Sequence, residues 1–106
     1  MEAHDYPIVH FERMRALAHA LKSLPAQILE HSYSGESFGS WYVVVRYKGA
    51  VSQLVFDGRD SLLGLRRSGD RKVPYRFGDE QTICSGGEAE ALDAAIIGKI
   101  CHAISQ

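Results

Sequence analysis

The amino-acid sequence predicts an α+β domain with an N-terminal helix, an antiparallel β-meander of about five strands and a C-terminal helix, both helices packed on one sheet face. Residues 40–67 predict the sheet, because they contain three apolar, β-branched runs separated by the turn signals Lys48-Gly49-Ala50 and 57–60. The segments before and after it carry apolar residues at three- and four-residue spacing, which predicts helices. A chain of 106 residues is expected to fold as one domain, residues 1–106.

The N-terminal segment predicts an amphipathic helix of about four turns. Asp5 can cap it, and Pro7 fits its first turn because no internal hydrogen bond is lost there. Leu24-Pro25 ends the helix, since a proline disfavours helical dihedrals in the residue before it. The apolar stripe of this helix consists of Phe11, Met14, Leu17, Ala18 and Leu21.

The meander follows a first strand over residues 26–34, and its turns set the strand register. A two-residue turn at Gly49-Ala50 places Leu54 opposite Val45, and a four-residue turn at 57–60 then places Leu54 opposite Leu63. The predicted core face consists of Trp41, Val43, Val45, Leu54, Phe56, Leu63 and Leu65. The opposite, outer face mixes apolar and charged residues: Tyr42, Val44, Arg46, Lys48, Val51, Gln53, Val55, Leu62 and Arg66.

The C-terminal third predicts a last strand, a loop and a helix. Residues 72–77 alternate apolar and polar positions, and Pro74 places this strand at a sheet edge because proline cannot donate to the ladder. Residues 78–87 predict a loop. Ser85 and Glu88 match a capping box, which predicts one closing helix over residues 87–104.

Composition favours a cytoplasmic protein. The N-terminus lacks the basic start and apolar centre of a signal peptide, and no apolar run approaches the ~20 residues that cross a bilayer. Two cysteines are too few for a disulfide framework. Charge is uneven, because residues 46–76 carry eight basic and three acidic groups whereas residues 77–106 carry one basic and five acidic groups.

Candidate catalytic and ligand groups are weak in this sequence, so we expect no enzyme, no metal and no cofactor. The five histidines, which lack zinc-site spacing, are expected at the surface or at strand edges: His4, His10, His19, His31 and His102. Cys84 precedes a helix start and could pair with His31 or His102 as a nucleophile, but no thiol-enzyme signature surrounds it. Cys101 is expected in the core. Residues 85–87 could hold an anion, although Glu88 and Glu90 would repel a phosphate there.

A basic cluster in the centre of the chain raises an alternative function. It consists of Arg59, Arg66, Arg67, Arg71, Lys72 and Arg76, with Tyr42, Tyr47 and Tyr75 as aromatic neighbours. Cations and stacking aromatics on one surface are typical of RNA- or DNA-binding modules. The simpler interpretation is that these arginines keep turns and strand edges in water, beside Asp57, Asp60 and Asp70.

In size and helix–meander–helix layout, the chain resembles the small immunity proteins of bacterial toxin systems, including those of contact-dependent growth inhibition. The resemblance covers the whole chain and implies that it binds and neutralises one cognate toxin domain, often a nuclease, in the cytoplasm. A secretion chaperone has a similar layout, but the strand pair and third helix usual in that group after the meander are lacking. No membrane partner is expected, and nucleic acid is the less favoured ligand.

Two surfaces are candidates for binding the toxin domain. The outer sheet face offers Tyr42, Arg46 and Arg66, and aromatic and arginine side chains are enriched at the centres of protein interfaces. The second surface is an acidic group that could speed association with a basic nuclease. Its members are Asp79, Glu80, Glu88, Glu90 and Asp93. Acidic residues near a helix start also have a structural explanation, because the helix dipole favours them.

Overall fold

The computed structural model describes residues 7–68 and 76–106, which form one antiparallel sheet with helices on one of its faces. The elements are α1 (Ile8–Lys22), β1 (Gln27–Ser34), a 3₁₀ turn (Gly35–Ser37), β2 (Ser40–Tyr47), β3 (Ala50–Asp57), β4 (Leu62–Ser68), β5 (Phe77–Ser85), α2 (Gly87–Ala91) and α3 (Ala94–Ile104). The strands lie side by side in chain order. The predicted α+β class and meander are therefore confirmed.

Helix α1 begins after Pro7, whose extended backbone makes it the N-cap, and it ends before the predicted Leu24-Pro25 stop. The predicted cap Asp5 lies outside the described residues. The buried side of the helix differs from prediction at its first turn and at Ala18, which is exposed. In the first turn His10 is fully buried, whereas Phe11 is 53% exposed. His10 lies one turn before Met14 on the same side of the helix, and this places Phe11 on the flank.

The β2–β3 hairpin turns at Lys48 and Gly49, so the predicted Gly49-Ala50 turn is wrong by one residue. Both turn residues have positive φ, 51° and 80°, as the favoured two-residue turn of a twisted hairpin requires. Val43 lies opposite Leu54 as a result, where the prediction had Val45. The pairing has shifted by two residues, and a shift of two leaves every side chain on its predicted face.

The β3–β4 connection shows the same even shift. Its four-residue loop is residues 58–61, where residues 57–60 were predicted, and Leu54 lies opposite Leu65 instead of Leu63. The Asp57 carboxylate accepts a hydrogen bond from the backbone N–H of Arg59 at 3.0 Å. This local bond keeps Asp57 in the strand while the chain turns after it.

Strand β5 occupies a segment that was predicted to be a loop. The predicted last strand, residues 72–77, lies outside the described residues except at its end, and the observed strand begins at Phe77. Its polar residues resemble a loop sequence because β5 lies at the sheet edge and most of its side chains are exposed. The edge position predicted from Pro74 belongs to a segment outside the described residues, and the observed edge strand is β5. Its pairing with β4 is irregular beside Gly64 and again after Arg66.

The C-terminal segment forms two helices where one was predicted. Leu92 adopts a left-handed conformation, φ 47°, and ends α2. Asp93 then caps α3, because its carboxylate accepts a hydrogen bond from the backbone N–H of Ile96 at 3.0 Å. The predicted capping box does not form: Gly86 is the N-cap of α2, without a side-chain cap, and Ser85 ends β5.

The core lies between the helices and the predicted core face of the sheet. All seven predicted core-face residues are buried, from Trp41 to Leu65. From the helices, the core contains Met14, Leu17, Leu21, Ala89, Leu92, Ile96, Ile100, Ala103 and Ile104. Within residues 7–68 and 76–106, no helix has the length and apolar composition that crossing a bilayer would require.

Candidate functional site

The outer sheet face presents two neighbouring rows of side chains that cross all the strands. Strand register places these outer-face residues directly opposite one another from strand to strand. One row consists of Glu30, Val44, Gln53, Arg66 and Glu80, and within it Val44 is buried, at 1% exposure. The next consists of Ser32, Tyr42, Val55, Gly64 and Thr82. No helix of the described residues packs on these rows, since the helices lie on the other face.

Two pairs fix the aromatic and arginine side chains of these rows. The Tyr42 hydroxyl donates to the carboxylate of Glu30 on the neighbouring strand. The Arg66 Nε atom lies 3.5 Å from Glu80 Oε1, with side-chain exposures of 44% and 31%. Gly64 makes room for this ion pair, because a Cβ atom there would collide with the Glu80 side chain. Tyr42 and Arg66 are therefore held in place before any partner binds.

Between these pairs lies a shallow depression of about 230 Å³. Its polar lining includes serine hydroxyls, the Gln53 amide and the Arg66 guanidinium, and Val55 adds an apolar surface. The complete lining is Ser32, Ser34, Ser37, Ser40, Trp41, Tyr42, Gln53, Val55, Phe56 and Arg66. Such a mixture of hydrogen-bonding and apolar groups suits a side chain of a partner protein.

The basic cluster predicted for nucleic acid is divided between the two sheet faces. Arg66 lies on the outer face with Glu80, whereas Arg67 donates to the carbonyl oxygen of Ala103 in α3. Tyr42 and Tyr47 are also separated, because Tyr47 packs against the core. Arg71, Lys72 and Tyr75 lie outside the described residues. The described part of the cluster therefore leaves Arg66 and Tyr42 on the outer face and directs Arg67 and Tyr47 to the helix side.

The predicted acidic group is divided as well. Glu80 lies on the outer face, and Asp79 precedes it on the edge strand. Glu88 and Glu90 lie on α2, and Glu90 accepts a hydrogen bond from the Ser61 hydroxyl at 2.6 Å. Asp93 is the N-cap of α3. Arg46, the remaining predicted partner-binding residue, is exposed and lies opposite Val51 at the far end of the outer face.

One histidine departs from its predicted surface position. His10 is fully buried, and its Nε2 atom lies 3.3 Å from Nδ1 of His31 on β1. Burial lowers the pKa of His10, and the nearby His31 and then Arg13 lower it further. Histidine, cysteine, aspartate and glutamate residues do not gather in threes or more in the described residues. The contact between His10 and His31 joins α1 to the edge strand β1.

The two thiols have pKa values above their ordinary value. Burial raises the pKa of Cys84, and the carboxylate of Glu88 raises it further. A raised thiol pKa does not favour the thiolate that the nucleophile hypothesis for Cys84 requires. Burial also raises the pKa of Cys101, which is half-buried and packs against the core.

Comparison with protein-family models, curated proteins and solved structures finds no match to this chain. Sequence reasoning found Tyr42, Gln53 and Arg66 on the outer face, but it missed Glu30, which anchors Tyr42. The signal was present in β1, where Glu30 and Ser32 alternate on one face.

Proposed function

We propose that this protein is an immunity protein, which binds and neutralises a cognate toxin domain, and that it binds through the outer face of its sheet. The observation that supports this most is the pair of rows described above, in which Tyr42 and Arg66 are fixed by Glu30 and Glu80. Binding loses less conformational entropy when anchor side chains are already held in place. Tyrosine and arginine are also the residues that most often dominate the binding energy of an interface.

The size of the face is adequate for this task. Five strands spaced ~4.8 Å apart, with about eight residues rising ~3.4 Å each, give a face of roughly 650 Å². A stable protein interface buries about 800 Å² on each partner, so the face with its surrounding loops is large enough. A flat sheet face also suits the covering of an active-site opening, which is the simplest way to block an enzyme.

The acidic residues have a different role in this proposal. Asp79 and Glu80 lie on the edge strand β5, with Glu80 on the binding face itself, where they would attract a positively charged nuclease surface during encounter. Their contribution is expected in the association rate, whereas the contribution of Tyr42 is expected in the dissociation rate. Glu88, Glu90 and Asp93 lie on the helix layer, so we assign them no direct contact with the toxin.

Co-expression with the toxin domain encoded by the adjoining gene tests the proposal. Cells producing both proteins are expected to survive, and cells producing the toxin domain alone are expected to die. Equal death with and without this protein would end the immunity assignment. If the protein protects, the surface is then tested with Tyr42→Ala and Arg66→Ala, and with Glu12→Ala and Arg15→Ala as controls on the exposed side of α1.

Binding kinetics against the toxin domain separate the two roles. Tyr42→Ala is expected to raise the dissociation rate by ~30-fold or more, as the loss of an interface anchor does. Asp79→Lys with Glu80→Lys is expected to slow association and to weaken its salt dependence, and also to speed dissociation because Glu80 holds Arg66. Asp79→Lys alone leaves that pair intact and is expected to act on association. If the α1 controls weaken binding as much as Tyr42→Ala does, the toxin binds the helix layer and the proposed surface is wrong.

The alternative of nucleic-acid binding predicts a different result. A protein that uses the basic cluster would bind RNA or DNA with an affinity that falls steeply as salt rises, because phosphate contacts release counterions. Arg66→Glu with Arg67→Glu would then abolish binding. We expect little binding at physiological salt, since Arg66 and Arg67 serve opposite faces of the sheet.

A further inference from the structure

Phe38 presents its aromatic ring to solvent from a strained backbone. Its side chain is 69% exposed, and the residue follows the 3₁₀ turn with φ 61° and ψ 27°. A bulky non-glycine residue rarely adopts this left-handed conformation, which persists only when the surrounding structure holds it. An exposed large apolar side chain in such a position is therefore a specific feature to explain.

The neighbouring loops hold Phe38 in place. The Ser40 hydroxyl donates to the carbonyl oxygen of Ser37 at 2.6 Å and accepts from the N–H of Gly58 at 2.9 Å. Gly58 packs directly on the Phe38 carbonyl, since a Cβ atom at Gly58 would overlap it. The β1–β2 and β3–β4 loops are thus joined at Phe38, so its backbone is held before the ring is buried in an interface.

A cavity of about 310 Å³ opens directly beside this ring. It lies between the start of α1, the two joined loops and α2. Its lining consists of Pro7, Val9, Arg13, Tyr33, Phe38, Gly39, Phe56, Gly58, Ser61 and Glu90. Val9, at its α1 side, is 49% exposed. An apolar cavity of about 150 Å³ already holds a benzene-sized ring, so this cavity can accept a phenylalanine side chain.

We propose that this surface is a self-association site, in which Phe38 of each copy enters the cavity of a second copy around a twofold axis. A projecting ring and a receiving cavity on the same patch make the surface self-complementary, as a twofold interface requires. The site lies among the loops, α1 and α2, and borders the outer-face depression, since Phe56 lines both. Self-association goes beyond the proposed function because it needs no toxin.

The charged residues of the cavity also favour a second copy of this chain as its occupant. Arg13 and Glu90 both line the cavity, and the Arg13 guanidinium donates to the Glu90 carbonyl oxygen at 2.8 Å rather than to its carboxylate. The charges are opposite, so a twofold axis through the site can bring Arg13 of each copy to the Glu90 carboxylate of the other. The chain carries a net charge of only −1, so two copies repel each other weakly.

Sedimentation equilibrium over a concentration series tests the proposal on the full chain. Wild-type protein is expected to dimerise at micromolar concentration. Phe38→Ala removes the projecting ring and Val9→Trp fills the cavity, and each is expected to raise the dimer Kd by at least ~30-fold, the effect of losing an interface anchor. Phe11→Ala is the matched control, because Phe11 is 53% exposed but does not line the cavity. Its Kd is expected to stay at the wild-type value.

Mixing the two variants gives the sharper test. Phe38→Ala removes one wall of its own cavity but keeps the other lining residues, and Val9→Trp keeps its ring, so a mixed dimer regains one of the two ring-in-cavity contacts. The mixed dimer is therefore expected to be tighter than either variant's own dimer, with far-UV circular dichroism confirming that both variants are folded. A wild-type protein that stays monomeric at millimolar concentration would overturn the proposal. So would a dimer that both variants leave intact, or a mixture that gains nothing.

Discussion

The substitution Trp41→Ala tests the assignment of the two sheet faces, on which the candidate site depends. Trp41 is 3% exposed, and its ring stacks on Phe56 with centroids 5.7 Å apart and planes inclined by 22°. Truncation removes a large apolar surface from the core and leaves a cavity that its neighbours fill only in part. The expected loss in unfolding free energy is about 3–5 kcal/mol. The lost aromatic stacking, about 1 kcal/mol, places it in the upper half of that range.

Urea unfolding followed by far-UV circular dichroism measures this loss. Fluorescence is unsuitable for the comparison, because Trp41 is the single tryptophan of the chain and the variant lacks it. A domain of this size has a total stability of about 5–15 kcal/mol, so the variant is expected to be folded but close to its limit. The dependence of free energy on urea concentration is expected to stay unchanged, because the surface exposed on unfolding is nearly the same.

The next residue along the strand supplies the control. Tyr42 is also aromatic, but it is half-buried on the outer face, so Tyr42→Ala is expected to cost about 1 kcal/mol or less. Because the two aromatic residues are adjacent in the same strand, a difference between their losses reports which sheet face each side chain lies on. If Trp41→Ala costs less than about 1 kcal/mol, or if both variants cost the same, the core face has been assigned wrongly.

Two further predictions concern the helices. Burial, His31 and Arg13 lower the pKa of His10 below its ordinary 6.5, so the unfolded chain binds a proton there more readily than the folded chain does. The stability that this residue contributes is therefore full above pH 6.5 and falls as the pH drops below it. His10→Leu is expected to reduce the measured loss of unfolding free energy between neutral and mildly acidic pH. Asp93→Ala is expected to cost about 1 kcal/mol in thermal or urea unfolding because Asp93 caps α3. Ser85→Ala, at a residue that caps no helix, is expected to change stability by less than about 0.5 kcal/mol. A larger loss for Ser85→Ala than for Asp93→Ala would mean that Ser85 does form the predicted capping box.

The faces of the sheet could be predicted from the sequence because alternation in a strand has a period of two. Trp41, Val43 and Val45 alternate with Tyr42 and Arg46, and the predicted turns then assigned the first set to the core, although Val44 on the outer side is also apolar and buried. The register errors at both turns were even, so they exchanged partners along a face but never moved a residue to the other face. The fold class and the outer-face location of Tyr42 and Arg66 follow from local patterning alone.

Local patterning failed wherever a distant contact decided the conformation. Strand β5 has a polar, loop-like sequence, and its pairing with β4 supplies the hydrogen bonds that make it a strand. Leu92 breaks the C-terminal helix in a left-handed conformation although its own side chain is 95% buried, so its packing outweighs the cost of that conformation.

The contacts that form the candidate sites also depend on residues that are distant in the sequence. Glu30 and Tyr42 are twelve residues apart, and His10 and His31 are twenty-one residues apart, so no local spacing connects either pair. The cavity beside Phe38 is formed by four separate parts of the chain. Hydrophobic alternation encodes which side of a strand faces the core, but only the packed sheet determines which side chains become neighbours across strands, and those neighbours create the sites.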